Sequence, residues 1–204
     1  MSNYKTVFFI LGVLQIILGL SMIVPIMAQF YYNQVDSGFI GSGLVSIIFG
    51  VLFFLSNLDY EKKLTLPQAF LLTALSWLSI AIFGSLPFVF SDLSLSFTNA
   101  FFESMSGITT TGSTILTNLN ETPKAILLWR AMLQWLGGIG IIVMAITLMP
   151  IMNIGGMQLF VISNTHTPEK ILPKSKEISI RLIAIYSSLT LSLIHISEPT
   201  RPDE

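Results

Sequence analysis

The chain has no cysteine and little charge. Because cysteine is absent from its 204 residues, disulfide bonds and thiolate metal sites are excluded. Charged residues make up 10%, against about 25% in ordinary soluble domains. The net charge of −1 leaves no basic footprint for nucleic acid. Only two histidines occur, His166 and His195, and both lie outside the complete apolar segments, so no catalytic constellation is predicted and we expect no enzyme.

Long apolar runs are what the chain does have. Hydrophobic residues make up 52%, and about 20 consecutive apolar residues suffice to cross a bilayer as a helix. The N-terminal run is too long for a signal peptide and lacks a convincing cleavage site, so a retained helix is predicted. The sequence predicts an all-α, multi-pass membrane protein with spans at Thr6–Tyr31, Phe39–Leu55, Leu66–Phe90 and Ile126–Met149, and the start of another at Ile178–Thr190.

The basic residues predict the orientation. Cytoplasmic loops carry an excess of lysine and arginine, and most basic residues fall on one side of this threading, whereas Lys124 and Arg130 fall on the other side or within the membrane. The cytoplasmic set is Lys5, Lys62, Lys63, Lys170, Lys174, Lys176 and Arg181. The chain is therefore predicted to lie in the cytoplasmic (inner) membrane, with its N-terminus on the cytoplasmic side.

A short amphipathic segment and a threonine-rich loop interrupt this pattern. Leu95–Ser106 would form a helix of about 18 Å, too short to span the roughly 30 Å hydrocarbon core. The sequence GITTTGST follows at 107–114. Non-helical backbone at membrane depth survives only where protein buries it or where it lines a watery cavity. The pattern therefore favours a pore loop entering from outside, and the alternative is a polar loop between two helices.

The composition of the loop suits a dehydrated cation. Backbone carbonyls can replace the water of a cation without a buried formal charge. Threonine favours extended backbone, and Gly112 permits a positive φ where carbonyls must be re-aimed. The preceding helix would direct its partially negative C-terminal end toward the cation.

These segments closely resemble the first pore repeat of the Trk/Ktr potassium transporters, most of all the TrkH-type membrane subunit. The resemblance rests on FFESMSGITTTG at 101–112, LWRAMLQWLGGIGII at 128–142 and GGMQLF at 155–160. It implies potassium uptake through a filter of backbone carbonyls, with K⁺ as the transported ion and no organic cofactor. It implies as partners a cytoplasmic nucleotide-binding regulatory subunit (TrkA-type) and a second copy in a homodimer. Potassium contact is assigned to Thr110, Thr111 and Gly112, with Thr109 and Ser113 flanking.

Two charges and two glycines receive structural roles. Glu103 and Arg130 are the charges least expected at membrane depth, so they either pair to brace the filter or lie at the interface and meet water. Gly137 and Gly138 permit close packing of the fourth span, and a hinge is the alternative. A secondary ion-coupled transporter with a broken-helix midplane site remains the competing function, and Glu103 would be its only coupling carboxylate.

The order of segments predicts five regions. Residues 191–204 change character abruptly and resemble translated sequencing adapter, so native sequence is expected to end near Thr190. Since the family builds its filter from four repeats in one chain, such a fragment alone is expected not to conduct. The regions are an N-terminal helix pair (1–58), the first helix–pore-loop–helix repeat (66–150), a cytoplasmic linker (151–181), the start of a second repeat (182–190) and a non-native tail (191–204).

Overall fold

The fold comes from a computed structural model that describes residues 4–33, 36–60, 64–93, 95–152 and 171–197. These residues form helices and no strand, which confirms the all-α class. The helices are α1 (Lys5–Ser21), α2 (Ile23–Tyr31), α3 (Gly38–Ser56), α4 (Leu66–Phe90), α5 (Phe97–Ile108), α6 (Lys124–Met152) and α7 (Ile171–Ser197). Most of the predicted linker, with His166 and Lys170, and the end of the predicted tail lie outside the described residues.

Within the described residues, four stretches are long and apolar enough to cross a membrane: Lys5–Tyr31, Gly38–Ser56, Leu66–Phe90 and Lys124–Met144. They agree with the four predicted spans to within a few residues at most ends. α4 has the predicted bounds, because a polar capping residue precedes it and its first turn tolerates Pro67. There, the backbone N–H of Thr65 donates to the Gln68 side chain at 2.9 Å.

Two helices differ from the sequence prediction. The first span is interrupted at Met22, where α1 ends and α2 begins. Pro25 follows within one turn and has no N–H to donate to the carbonyl of Ser21, which accounts for the break. α7 begins at Ile171, so part of the predicted linker is helical. Its exposed Arg181 donates to Glu177 one turn earlier at 2.6 Å, and this polar face explains why the sequence resembled a loop.

Glycines bring α1 and α3 into close antiparallel contact. A Cβ built on Gly12 would lie 2.6 Å from the backbone nitrogen of Phe54, and one on Gly50 would lie 2.8 Å from that of Ile16. Further along, a Cβ on Gly19 would lie 2.9 Å from the carbonyl oxygen of Gly43. These distances leave no room for larger side chains. Small residues therefore set the spacing of the N-terminal helices, as is common in membrane helix pairs.

The chain divides into two compact units, 1–138 and 139–204, and the threonine loop lies in the first. In that unit α5 runs in the same direction as the start of α6. Glu103 contacts Arg130, Gly107 lies against Leu133 and the end of α5 at Ile108 lies against Gly137.

The starts of these two helices also lie at the same level. The end of α4 and the beginnings of α5 and α6 share one core cluster, which includes Phe88, Ala100, Ile126 and Trp129. The segment 109–123 must therefore turn back along α5 and α6 to reach the start of α6. This backward path is the geometry that positions the site.

Trp129 fixes α6 to α4. Its side chain is fully buried, and the indole Nε1–H donates to the carbonyl oxygen of Gly84 at 2.9 Å. We expect Trp129→Phe to lower the free energy of unfolding by about 0.6 kcal/mol, the mean for hydrogen bonds between membrane helices. Trp129→Ala should cost about 3–5 kcal/mol because it also leaves a cavity. Thermal unfolding of the purified protein would show whether Trp129→Ala is destabilised more than Trp129→Phe. Equal losses of stability in the two variants would contradict this expectation.

Candidate functional site: the loop after α5

The short helix α5 forms one wall of the site. Its N-terminus is capped by the Ser96 hydroxyl, which accepts from the backbone N–H of Asn99 at 3.4 Å. Ala100, Glu103, Ser104 and Gly107 are buried and follow the 3.6-residue period of one helix face. Twelve residues give a length of about 18 Å, so α5 ends partway through a bilayer if it begins at the surface.

A strained backbone turn ends α5. The N–H of Thr111 donates to the carbonyl of Ser106 at 3.0 Å, and that of Thr110 donates to the carbonyl of Gly107 at 2.9 Å. These two bonds form a Schellman motif, whose left-handed position is usually glycine. Here Thr110 occupies it with φ of +57°, at a cost of about 1–2 kcal/mol for a residue with a Cβ. Strain of this kind concentrates at functional sites.

Gly112 adopts the positive φ predicted for it, +78°. Left-handed conformations two residues apart re-aim the backbone twice within the loop. Residues 109–114 are exposed. Among the described residues, no group donates a hydrogen bond to the carbonyl oxygens of Thr109, Thr110 or Thr111. The loop thus presents consecutive open carbonyls directly after the C-terminal end of α5.

The other side of the loop is held by a buried carboxylate. Glu103 is fully buried in α5 and pairs with the Nε of Arg130 from α6. It also accepts from the Thr114 hydroxyl at 2.9 and 3.1 Å and from the Ile115 N–H at 3.0 Å. Of the two alternatives from the sequence, the structure contains the ion pair. Each carboxylate oxygen has a partner, as burial of a charge requires.

Arg130 connects this carboxylate to the loop backbone. Its Nη2 donates to the carbonyl oxygens of Gly112 at 3.0 Å and Ser113 at 3.2 Å. The Ser113 carbonyl also accepts from the Ser106 hydroxyl at 2.6 Å. A carbonyl oxygen has two lone pairs, so that of Ser113 is fully occupied and that of Gly112 keeps one. Five residues were assigned to potassium. The carbonyls of two of them, Gly112 and Ser113, accept hydrogen bonds from the protein, and within the described residues the other three carbonyls are open.

Gly137 allows α6 to touch the end of α5. A Cβ built on Gly137 would overlap the carbonyl oxygen of Ile108 and lie 2.7 Å from its carbonyl carbon. Close packing at this position, which the sequence predicted, is therefore a geometric necessity. Gly138 lies half-buried in the same helix.

Sequence reasoning missed several polar contributors to the site. Ser106, Thr114 and Trp129 lie within the quoted segments but received no role. No local pattern marks them, because their partners are 7, 11 and 45 residues away. Gln134, whose Nε2 lies nearest to a Cβ built on Gly112, was also missed. Its position on α6 one turn after Arg130 is the one signal that could have identified it.

Comparison with known proteins gives a consistent result. Residues 5–197 match the family model described as TrkH, cation transport protein. The chain is 38% identical over 183 residues to the Trk system potassium uptake protein TrkI of Halomonas elongata, covering 89% of this chain and 37% of that protein. It is 37% identical over 194 residues to the Trk system potassium uptake protein TrkH of Escherichia coli K12, covering 93% and 40%.

A solved structure shares the fold. The crystal structure of the potassium transporter TrkH from Vibrio parahaemolyticus superimposes with a TM-score of 0.81 at 34% sequence identity. The match covers 94% of this chain and 38% of that structure. The chain thus spans about two-fifths of the length of the relatives that it matches.

Proposed function

Since this chain belongs to the TrkH family of cation transport proteins, we propose that it contributes to potassium uptake and that its threonine loop forms one part of the ion-selective filter. The family consists of multi-pass membrane transporters, and its named relatives are potassium uptake proteins. Because the chain spans only about two-fifths of those relatives, the complete filter requires further segments, from the same chain or from others.

The open carbonyls of Thr109, Thr110 and Thr111 carry this proposal. Carbonyl oxygens without a protein partner replace the water that a cation loses on entering a filter. The loop follows directly on the C-terminal end of α5, where the helix dipole places about half a negative charge. Gly112 contributes its remaining lone pair, whereas Ser113 acts as an anchor. The main potassium contacts that we propose are therefore Thr109, Thr110 and Thr111, one residue closer to α5 than in the sequence-based assignment. That assignment gave Thr109 and Ser113 the same flanking role.

Glu103 and Arg130 hold the part of the loop that follows the open carbonyls. Arg130 binds the backbone of Gly112 and Ser113, and Glu103 binds the next two residues while neutralising Arg130. Without Glu103, the guanidinium would place a positive charge beside a cation path. The pair therefore serves both the shape and the electrostatics of the loop.

The competing secondary transporter needs a membrane carboxylate that can exchange its ion. Glu103 is the only candidate from the sequence, and its oxygens are occupied by Arg130, Thr114 and Ile115. A carboxylate with so many fixed partners is poorly suited to repeated ion exchange. The geometry therefore favours the filter over the broken-helix mechanism.

The cellular setting follows from the same family relationship. We place the protein in the cytoplasmic membrane with its N-terminus inside, so that the loop after α5 opens to the outside. A nucleotide-binding regulatory subunit would dock on the cytoplasmic face, and the full-length protein would form a homodimer. Residues 66–150 would constitute the first pore repeat and 182–190 the start of the second.

The function can be tested by uptake in cells. The full-length protein that contains these residues would be expressed in a bacterial strain without potassium uptake systems of its own, and rubidium and sodium uptake would be measured. We expect growth at low potassium and uptake of rubidium in preference to sodium. Normal membrane insertion without uptake of either ion, with the regulatory subunit co-expressed, would contradict the proposal.

Gly112→Ser should weaken the selectivity of this uptake. A side chain at φ of +78° costs about 1–2 kcal/mol, and relaxation of the backbone would move the neighbouring carbonyls. Because the moved carbonyls would no longer match a dehydrated rubidium ion, we expect the rubidium-to-sodium ratio to fall severalfold. Gly41→Ser serves as the control, because a Cβ there meets only the Phe90 ring at 3.7 Å. An unchanged ratio in Gly112→Ser would refute the assignment.

A further inference from the structure

A second residue of α6 faces the loop beside Arg130. Gln134 lies four positions after Arg130 and so on the same helix face. Within the described part of the chain, its Nε2 is the only atom outside the neighbouring residues that lies within 4 Å of a Cβ built on Gly112, at 3.7 Å. The carboxamide thus borders the point at which the loop backbone turns.

Among the described residues, the carboxamide of Gln134 has no hydrogen-bond partner. It carries two donors and an acceptor, yet no described residue forms a hydrogen bond with it. The side chain is half-buried and its sequence neighbours are Leu133 and Trp135. At membrane depth an unsatisfied amide costs several kcal/mol. Because its Nε2 borders Gly112, the nearest groups that could satisfy it are the loop backbone and the water or cation that the proposed filter would accommodate.

We propose that Gln134 is a specificity-determining positioning residue, which hydrogen-bonds to the loop or its bound water beside Gly112. This inference rests on the proposed filter function. Arg130 fixes the carbonyls of Gly112 and Ser113, and Gln134, one turn further along the same face of α6, borders Gly112 itself. Because Gly112 directly follows Thr111, a displacement of Gly112 displaces the open carbonyls. Gln134 thereby sets the spacing on which discrimination between potassium and sodium depends.

Two substitutions separate this role from simple packing. Gln134→Met keeps the length of the side chain but removes its hydrogen bonds, and we expect the rubidium-to-sodium uptake ratio to fall at least fivefold with normal membrane insertion. Gln134→Glu keeps an acceptor and adds a negative charge beside the cation path, so the apparent KM for rubidium should fall severalfold. If Gln134 only packed against its neighbours, Gln134→Met would not lower the uptake ratio and Gln134→Glu would not lower the KM for rubidium.

The control is Thr73→Val, which removes a polar group from α4 whose hydroxyl donates only to the carbonyl of Ala69 within its own helix. The measurements use the full-length protein that contains these residues. If the unmodified protein takes up no rubidium, the proposed function itself fails. If it does, and Gln134→Met keeps its selectivity within about twofold, the role of Gln134 is refuted. Loss of both Gln134 variants from the membrane would assign the residue to folding and equally overturn the proposal.

Discussion

Arg130→Leu is expected to remove most of the folded protein from the membrane. The substitution leaves Glu103 as a fully buried carboxylate without its cation. Breaking a buried ion pair from one side costs about 3–5 kcal/mol, a large part of the stability of a typical domain. The Gly112 and Ser113 carbonyls also lose their donor. Detergent-solubilised protein should therefore give little monodisperse material by size-exclusion chromatography.

Adding Glu103→Leu to this variant should restore folding but not function. Replacing both members of a buried pair with apolar side chains is often neutral for stability. The loop, however, would still lack the donors and acceptors that hold Gly112–Ile115, so selective rubidium uptake should stay absent. The recovery of folded protein in the double variant, compared with either single variant, is the measurement.

The exposed pair Glu177–Arg181 provides a matched control. The side chains of Glu177 and Arg181 are 63% and 74% exposed, and exposed ion pairs contribute about 0–1 kcal/mol to the free energy of unfolding. Removing Arg181 alone should therefore leave the yield of folded protein unchanged. If Arg130→Leu behaves like Arg181→Leu, or if the double variant recovers nothing, the buried pair does not have the role assigned to it.

Gly137→Ala should abolish uptake by displacing the end of α5. The added Cβ would overlap the Ile108 carbonyl oxygen, and backbone cannot rotate away as a flexible side chain can. Overpacking in a tight core usually costs about 1–3 kcal/mol and sometimes more, which outweighs the gain of about 1 kcal/mol from alanine in a helix. Because Thr109 follows Ile108 directly, the open carbonyls would shift with it.

Gly41→Ala is the corresponding control for this substitution. Its Cβ would meet only the Phe90 ring at ordinary contact distance. The stabilisation that alanine gives a helix relative to glycine should therefore not be offset, and the melting temperature should stay the same or rise. Gly137→Ala should lower the melting temperature and eliminate rubidium uptake even in the protein that still folds. Wild-type uptake by Gly137→Ala would show that α5 and α6 are not in the contact described.

The sequence could predict the spans because their signals are local. α4 has its predicted bounds, since apolar length, a capping threonine and Pro67 mark them, and the short helix differs by only two residues at each end. The break at Met22 was missed, because Pro25 in a membrane helix can also be accommodated without interruption. The early start of α7 was missed because its first turns contain proline and charge.

The site was predictable only in part for the same reason. A positive φ was predicted at Gly112, and the ion pair between Glu103 and Arg130 was one of two alternatives that the sequence left open. The left-handed Thr110 was not foreseeable, because a β-branched residue disfavours that conformation. Nor could the division between open and bound carbonyls be read from sequence, since it depends on how α6 brings Arg130 to the loop.

The most direct test of the proposed filter is a structure of the full-length protein with rubidium, recorded at the rubidium absorption edge so that anomalous scattering locates the bound ions. We expect a peak in direct contact with the carbonyl oxygens of Thr110 and Thr111, and no peak on that of Ser113. A well-ordered loop with rubidium bound elsewhere, or with Glu103 as its ligand, would contradict it.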